Sequence, residues 1–417
     1  MDYPSKIDPR LCVVCRGGKY LCGLAYCPIV VKSSIYSRLE GLENKTVIEG
    51  STPPSVFIGR TGYPKVRAGP VAPPLIGDTS IFDYPETWLN MKLEDILNYR
   101  FSMIRGYKLF NITDIYNRDL QALQELTLSF RPIDIEIEME KPVGRKILLD
   151  EHVPPLGPSS PYRRLLINSN PNIPRQAEKA YYDTDLKANE AVIYLYTSGL
   201  PVSYIQKVLS VGALGSGKNR RLVPTRWSIT AVDDAISKYL LSKIKQYAEI
   251  DGIYVYILNV HLNLFMGILM PREWSYEWGE AWFPGSTWNP IPYGQVYVET
   301  DWELHMGRKT YASTGGCYYA ARLAVAEHLY KIKRQATVIL WREIYPGFNI
   351  PVGVWFVRES VRKMFSQNPY KVDSLQEAFD IINKHSRIGV HRWISSSKLI
   401  SYLRSQRRIE DWVVKPK

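Results

Sequence analysis

The sequence predicts an α+β protein, with mixed sheets and packed helices, preceded by a small cysteine-rich zinc module. Segments of helical and of strand periodicity follow one another without a regular β-α-β beat, and no internal repeat is visible. Four of the five cysteines crowd into "CVVCRGGKYLCGLAYC" near the start. A chain of 417 residues, 45% hydrophobic and 23% charged, has room for more than one domain and a sizeable core. We divide it into a metal module over 1–50, a large α+β region over 51–290, a smaller α/β region over 291–400 and a tail over 401–417.

The cysteine module comes first. Cys12 and Cys15 form a Cys-x-x-Cys turn that aims two thiolates at one ion, and Cys22 and Cys27 complete a tetrahedron. Gly17, Gly18 and Gly23 let so short a span fold back on itself. Zn²⁺ in a structural role is the default reading; an iron–sulfur cluster also takes four thiolates, and two disulfides are the non-metal alternative. Cys317 reads as a small buried residue on a helix.

Next, the Pro- and Gly-rich stretch Ser51–Asp78 carries Arg60, Lys65 and Arg67 and fits short strands such as "SVFIG" separated by turns. Leu120–Phe130 has helical spacing, and "IDIEIEME" (Ile133–Glu140) alternates as an exposed strand. Thr230–Tyr247 is a helix with Thr230 as its cap and Val232, Ile236, Leu240, Ile244 and Tyr247 as its buried stripe. Ile253–Met270 carries no formal charge, but Asn259, His261 and Asn263 alternate with apolar residues. That is buried sheet rather than a membrane-spanning helix. Trp274, Trp278 and Trp282 recur at i, i+4 as along a helix, with packing favoured over base stacking because Glu273, Glu277 and Glu280 surround them. A helix over Cys317–Lys331, strands "TVILW" and "VGVWFV", and a helix opened by Ser374 and Glu377 follow.

The net charge is +12, from 53 Lys and Arg against 41 Asp and Glu, which favours an anionic partner, most simply nucleic acid. The alternative is a basic but indifferent surface. Residues Met1–Arg10 are polar and show no secretory leader, so a soluble, cytoplasmic, nucleoid-associated protein is expected. Lys218, Arg220, Arg221 and Arg226 fall within nine residues of a glycine-rich loop, and phosphodiester contact is the functional reading. Gly212, Gly217 and Lys218 also satisfy Gly-x-x-x-x-Gly-Lys, but Asn219 stands where a phosphate loop needs Ser or Thr for magnesium, and this excludes an NTPase.

In "YVETDWELHMGRK", Glu299, Asp301, Glu303 and His305 share one face of a strand. Mg²⁺ or Mn²⁺ held by Asp301, Glu303 and His305 is the arrangement of a metal-dependent nuclease. The alternative is an edge strand salt-bridged to Arg308 or Lys309. Asp183 and Asp185 form a weaker candidate of the same kind.

Five stretches together resemble the archaeal Nre family of DNA-repair proteins: "CVVCRGGKYLCGLAYCP", "VFIGRTGYPKVRAGP", "GALGSGKNRRLVPTRWSITAVDD", "GRKTYASTGGCYYAARLAVAEHL" and "GVWFVRESVR". The resemblance implies a large N-terminal and a smaller C-terminal region, with the break near residues 285–300. It also implies a role in DNA repair and a terminal motif that binds the sliding clamp (PCNA). In "QRRIEDWVV" that motif is Gln406, Ile409, Trp412 and Val413; a 3₁₀ turn brings the three apolar residues to one side as a plug. Val413 departs from the aromatic more usual at that place. A clamp-recruited DNA-binding repair factor, cutting DNA or not, is the leading expectation. The alternatives are a non-enzymatic adaptor joining clamp, DNA and another repair enzyme, and an enzyme of nucleotides or modified DNA ends.

Overall fold

The computed structural model describes residues 45–143, 152–289, 291–348 and 350–405. Cys12, Cys15, Cys22 and Cys27, and Gln406, Ile409, Trp412 and Val413, lie outside the described residues. The described residues fall in two compact units, one within Met1–Tyr239 and Ile350–Glu359, the other within Leu240–Asn349 and Ser360–Lys417. Each holds one mixed six-stranded sheet with helices, so the fold is α+β.

In the first unit the strands are β1 (Val47–Thr52), β2 (Ser55–Ile58), β3 (Lys65–Ala72), β4 (Ile104–Asn111), β5 (Ile133–Met139) and β6 (Ser159–Ile167), in the order β1-β5-β6-β4-β3-β2. Only the β4–β6 pair is parallel. β5 shows why alternation makes a strand: Ile133, Ile135, Ile137 and Met139 are buried and the residues between them half-buried. It is an inner strand paired on both sides, not an exposed one. The helices are α1 (Leu93–Phe101), α2 (Arg118–Leu128), α3 (Arg175–Tyr182), α4 (Ala188–Thr197), α5 (Val202–Ser210) and α6 (Thr225–Ile244).

α6 begins five residues before the expected cap. The carbonyl of Pro224 accepts from the N–H groups of Trp227 (2.7 Å) and Ser228 (3.0 Å), so this proline opens the helix instead of interrupting the loop. Val232, Ile236, Leu240 and Ile244 are buried as expected.

In the second unit the strands are β7 (Ile253–Val260), β8 (Asn263–Met270), β9 (Ser275–Trp282), β10 (Tyr297–Glu303), β11 (Thr337–Ile344) and β12 (Tyr370–Val372), ordered β10-β9-β11-β8-β7-β12. The uncharged stretch, read as buried sheet, is two antiparallel strands, β7 and β8, that turn at His261 and Leu262, both with positive φ. β8, β9 and β11 are buried along their whole length, because helices cover both faces. On one face α7 (Gly316–Ile332) sets Tyr318 edge-on to Tyr276 at 5.0 Å. On the other, Trp393 of α10 (Val390–Ser396) stacks on Trp341 at 5.2 Å, and α9 (Leu375–His385) and α11 (Lys398–Ser405) add Phe379, Ile382, Leu399 and Ile400.

Two elements differ from expectation. Trp278 and Trp282 lie on β9, with Trp274 just before it, and i, i+4 spacing there means one strand face; all three are buried. The expected strand "VGVWFV" is instead the entry to α8 (Trp355–Phe365), after Gly353 at φ +95°. No helix among the described residues is long and apolar enough to cross a membrane.

Candidate nucleic-acid interface

The first unit brings together two basic stretches more than 150 residues apart in sequence. The β2–β3 connection carries Arg60 and Tyr63, and β3 carries Lys65 and Arg67; all four are exposed. Its turn needs Gly62, at φ +84°, where a Cβ would meet the Lys65 carbonyl oxygen at 2.8 Å. The second stretch is the loop from Gly212 into the first turn of α6. The backbone N–H of Ile58 donates to Thr225 Oγ1 at 2.9 Å. Ile112 N–H donates to the Pro64 carbonyl and Leu222 N–H to the Ile112 carbonyl, at 3.0 and 2.8 Å, so the end of β4 ties the loops together. Tyr63 packs against Trp227 with ring centroids 5.1 Å apart and the planes tilted by 56°.

The electrostatics follow from composition. Neither residues 50–77 nor residues 191–232 contain an Asp or Glu. Lys218 and Arg221 are exposed and Arg226 half-exposed. Arg67 lies over the Tyr107 ring at 4.8 Å. Asp114 is the carboxylate nearest in the β4 end segment, and it accepts from Asn111 N–H at 3.1 Å. Exposed cations keep their field available to a phosphate within roughly a Debye length of 8–10 Å.

Of the four expected DNA contacts, Arg220 is placed differently. Its Nε donates to the Gly215 carbonyl at 2.6 Å and its Nη2 to the Asp183 carbonyl at 2.9 Å, and it lies over Tyr181 at 5.4 Å. It holds the loop together from inside. Gly217–Asn219 is a single 3₁₀ turn rather than the first turn of a longer helix. Asp183 is likewise structural: its Oδ1 accepts from the N–H groups of Asp185 and Leu186, and these bonds hold its carboxyl below the ordinary range. A cavity of about 60 Å³ in this unit is lined by Asp83, Arg100, Lys207 and Arg358, with room for a few water molecules and not a nucleotide.

The Asp301, Glu303 and His305 face is not assembled as a metal site. β10 is an edge strand with Asp301 salt-bridged to Arg308, as the alternative reading had it, but Asp301 and Glu303 are buried rather than exposed. Asp301 Oδ2 accepts from Arg308 Nη2 at 2.9 Å and Ser313 N–H at 2.7 Å. Its pKa is lowered: burial works against this, and the bonds from Arg308, Ser313 and Trp302 outweigh it. Glu303 Oε2 accepts from Arg322 Nη1 at 2.7 Å, and Oε1 from Trp274 Nε1 at 3.3 Å. His305 lies beyond the strand, with Nδ1 3.6 Å from Glu273. Among the described residues no group of three or more His, Cys, Asp or Glu is placed to hold a metal ion.

Sequence reasoning missed Tyr63 and passed over Trp227. The available signal was an aromatic set inside each acid-free basic stretch.

Comparison with known proteins places the chain. The descriptions "Archaeal Nre, N-terminal" and "Archaeal Nre, C-terminal" match residues 21–289 and 303–412. The chain is 49% identical to the DNA repair protein NreB of Archaeoglobus fulgidus over 389 residues, 93% of this chain and 96% of that one. It is 36% identical to the DNA repair protein NreA of the same organism, over 94% of this chain and 99% of the other. It is 37% identical to the DNA repair protein NreA of Haloferax volcanii, over 85% and 86%. No solved structure matches the chain. The chain belongs to the archaeal Nre family.

Proposed function

We propose that this chain is a DNA-repair factor that holds DNA on the basic loop surface of its first unit and is brought there by the sliding clamp (PCNA). One observation supports it most: two acid-free basic stretches, distant in sequence, meet at Tyr63 and Trp227 and leave Arg60, Lys65, Arg67, Lys218 and Arg221 exposed together. The names of the relatives supply the process. The surface acts by neutralising phosphates, which fixes register without reading sequence. Each phosphate contact releases bound counterions, so affinity must fall steeply as salt rises.

The tail residues Gln406, Ile409, Trp412 and Val413 supply the clamp plug in this reading, with Trp412 as the anchor. The thiolates of Cys12, Cys15, Cys22 and Cys27 hold one structural Zn²⁺, and one equivalent of zinc in the purified chain is the check. The adaptor form, in which the chain links clamp and DNA to another repair enzyme without cutting, is favoured by the carboxylates of β10. Asp301 and Glu303 already hold guanidinium groups, and Mg²⁺ or Mn²⁺ has to displace both before it can polarise a phosphodiester.

DNA affinity measured across a salt series tests the surface. The double variant Lys218→Ala, Arg221→Ala should flatten the plot of log affinity against log salt by about two in slope. An unchanged slope sinks the assignment. For the tail, Trp412→Ala should weaken clamp affinity by about 2 kcal/mol or more. An unaltered dissociation constant removes the clamp from the account.

A further inference from the structure

Most tryptophans in the described residues are interior: Trp88, Trp274, Trp278, Trp282, Trp341, Trp355 and Trp393 are all buried. Trp288, at 52%, is exposed beside Trp282, while Trp227 at 43% and Tyr63 at 46% touch each other and are the exposed aromatic pair set within the acid-free basic stretches. Two large rings half in water forgo much of the apolar burial that residues of this size usually supply. The tilt of 56° leaves each ring with open face, since neither lies flat over the other. Their mounting is firm. Trp227 sits in the first turn of a 20-residue helix, its N–H bonded to the Pro224 carbonyl at 2.7 Å. Thr225, two residues before it, takes the Ile58 N–H and lies 3.3 Å from the Ser210 hydroxyl. Tyr63 N–H donates to the Arg60 carbonyl at 3.3 Å, and the next residue's carbonyl takes Ile112 N–H at 3.0 Å. These bonds fix the backbone from which both rings project, and the contact between the rings restrains each of them, so less order has to be imposed on binding.

Charge identifies the occupant. The rings are set within stretches bearing Arg60, Lys65, Arg67, Lys218 and Arg221, with no Asp or Glu in either stretch. A hydrophobic protein partner requires no such collar, whereas a nucleic-acid strand offers a flat apolar ring and a phosphate at every step. In an intact duplex the base faces are hidden in the stack; only an unpaired base can lie on an aromatic.

We propose that Tyr63 and Trp227 are a stacking platform for an unpaired base, so that the basic surface takes single-stranded DNA in preference to intact duplex. This rests on the DNA-binding reading above and names the form of DNA. The platform supplies preference for strand state, while the cations supply overall affinity.

The test uses the full chain with a short oligothymidylate and with a duplex of equal length, at one fixed salt concentration. Trp227→Ala and Tyr63→Ala are compared with the unaltered protein and with Trp227→Phe. Each alanine variant should lower the ratio of single-strand to duplex affinity by roughly tenfold, the range of base–aromatic stacking. Trp227→Phe should keep most of that ratio. Tyr63→Ala sits in a surface turn, so it gives the answer even where Trp227→Ala melts early. A ratio unchanged in Tyr63→Ala, while Lys218→Ala, Arg221→Ala still flattens the salt plot, overturns the platform and leaves the basic surface standing. No affinity of the unaltered chain for either DNA overturns both.

Discussion

In the first unit Arg60, Arg67 and Arg221 are exposed on stretches that contain no carboxylate, whereas in the second Arg308, Arg322, Arg342 and Arg362 each hold a carboxylate oxygen at 2.9 Å or closer. The first unit has buried pairs of its own, Arg100 with Asp83 and Arg358 with Asp233, on other residues. The contrast is therefore between two environments of one side chain. A guanidinium taken out of water must recover its hydration from a carboxylate and from well-aimed bonds. Arg342 does so completely: it bonds Glu280 and Asn263, both at 2.9 Å, and lies among the rings of Phe265, Trp282 and Phe348. A guanidinium left in water loses nothing and keeps its field for an arriving phosphate. The same side chain is thus an internal strut where it is buried and, in the proposed reading, a docking charge where it is left in water.

The comparison breaks most visibly if an internal strut is removed. Arg322 and Glu303 are 2% and 1% exposed in their side chains and bond at 2.7 Å. Arg322→Ala leaves the Glu303 carboxylate buried without its guanidinium partner, with Trp274 Nε1 at 3.3 Å as a remaining donor. It should lower stability by about 3–5 kcal/mol in a urea unfolding experiment. A loss below about 1 kcal/mol means the pair is not the strut described here.

His328 shows what happens to a cation that finds no partner. Its ring stacks on Phe365 at 4.3 Å and meets the edge of Tyr256 at 5.7 Å, and its buried Nε2 accepts no bond. Burial, and then the charge of Lys331, push its pKa down to about 4 from 6.5. Above pH 6.5 both folded and unfolded chains hold the ring neutral. Between about 6.5 and 4 the unfolded chain binds a proton that the folded one refuses, so stability falls as pH falls through that window. With the ring's partial exposure discounted, the loss is on the order of 2 kcal/mol. His328→Phe should flatten the stability profile between pH 6.5 and 4; an identical profile assigns the titration elsewhere.

How far these arrangements were legible depended on range in sequence. β5 declared itself as a strand because its alternation is local, and the uncharged run as sheet, though not its turn at His261 and Leu262. Ser374 declared the start of α9, and its hydroxyl does accept the Glu377 N–H at 3.2 Å. β9 was ambiguous because residues four apart share a face in a strand as well as on a helix, and its residues are buried on both faces, which erases alternation. α8 hid behind β-branched and aromatic residues whose burial overrides propensity. The pair of Asp301 with Arg308, seven residues on, was legible as the salt-bridged alternative, whereas Glu303 reaches Arg322 of α7 through a fold-back that residue spacing does not encode. Contact between Tyr63 and Trp227 depends on two loops meeting across the unit, and no local pattern announces it. Charge was legible, and of its partners only the near one.

The finest test of the contrast sits in a single dipeptide. Arg220 bonds two backbone carbonyls, at 2.6 and 2.9 Å, while exposed Arg221 has one longer bond, 3.3 Å to the Asn219 carbonyl. Adjacent residues of identical chemistry should therefore fail in different ways. Arg220→Ala removes the donors that hold Gly215 and Asp183, and should lower stability by about 1–2 kcal/mol. Its DNA affinity, at temperatures where it stays folded, should keep the salt slope of the unaltered chain. Arg221→Ala should leave stability within about 0.5 kcal/mol, as surface changes do. It should instead reduce the salt slope of DNA binding by about one. Thermal unfolding and a salt titration on the two single variants read both quantities. If the two effects are exchanged, the inward arginine is the docking charge and the assignment of roles within the loop is reversed; if both variants change only stability, the loop does not meet DNA at all.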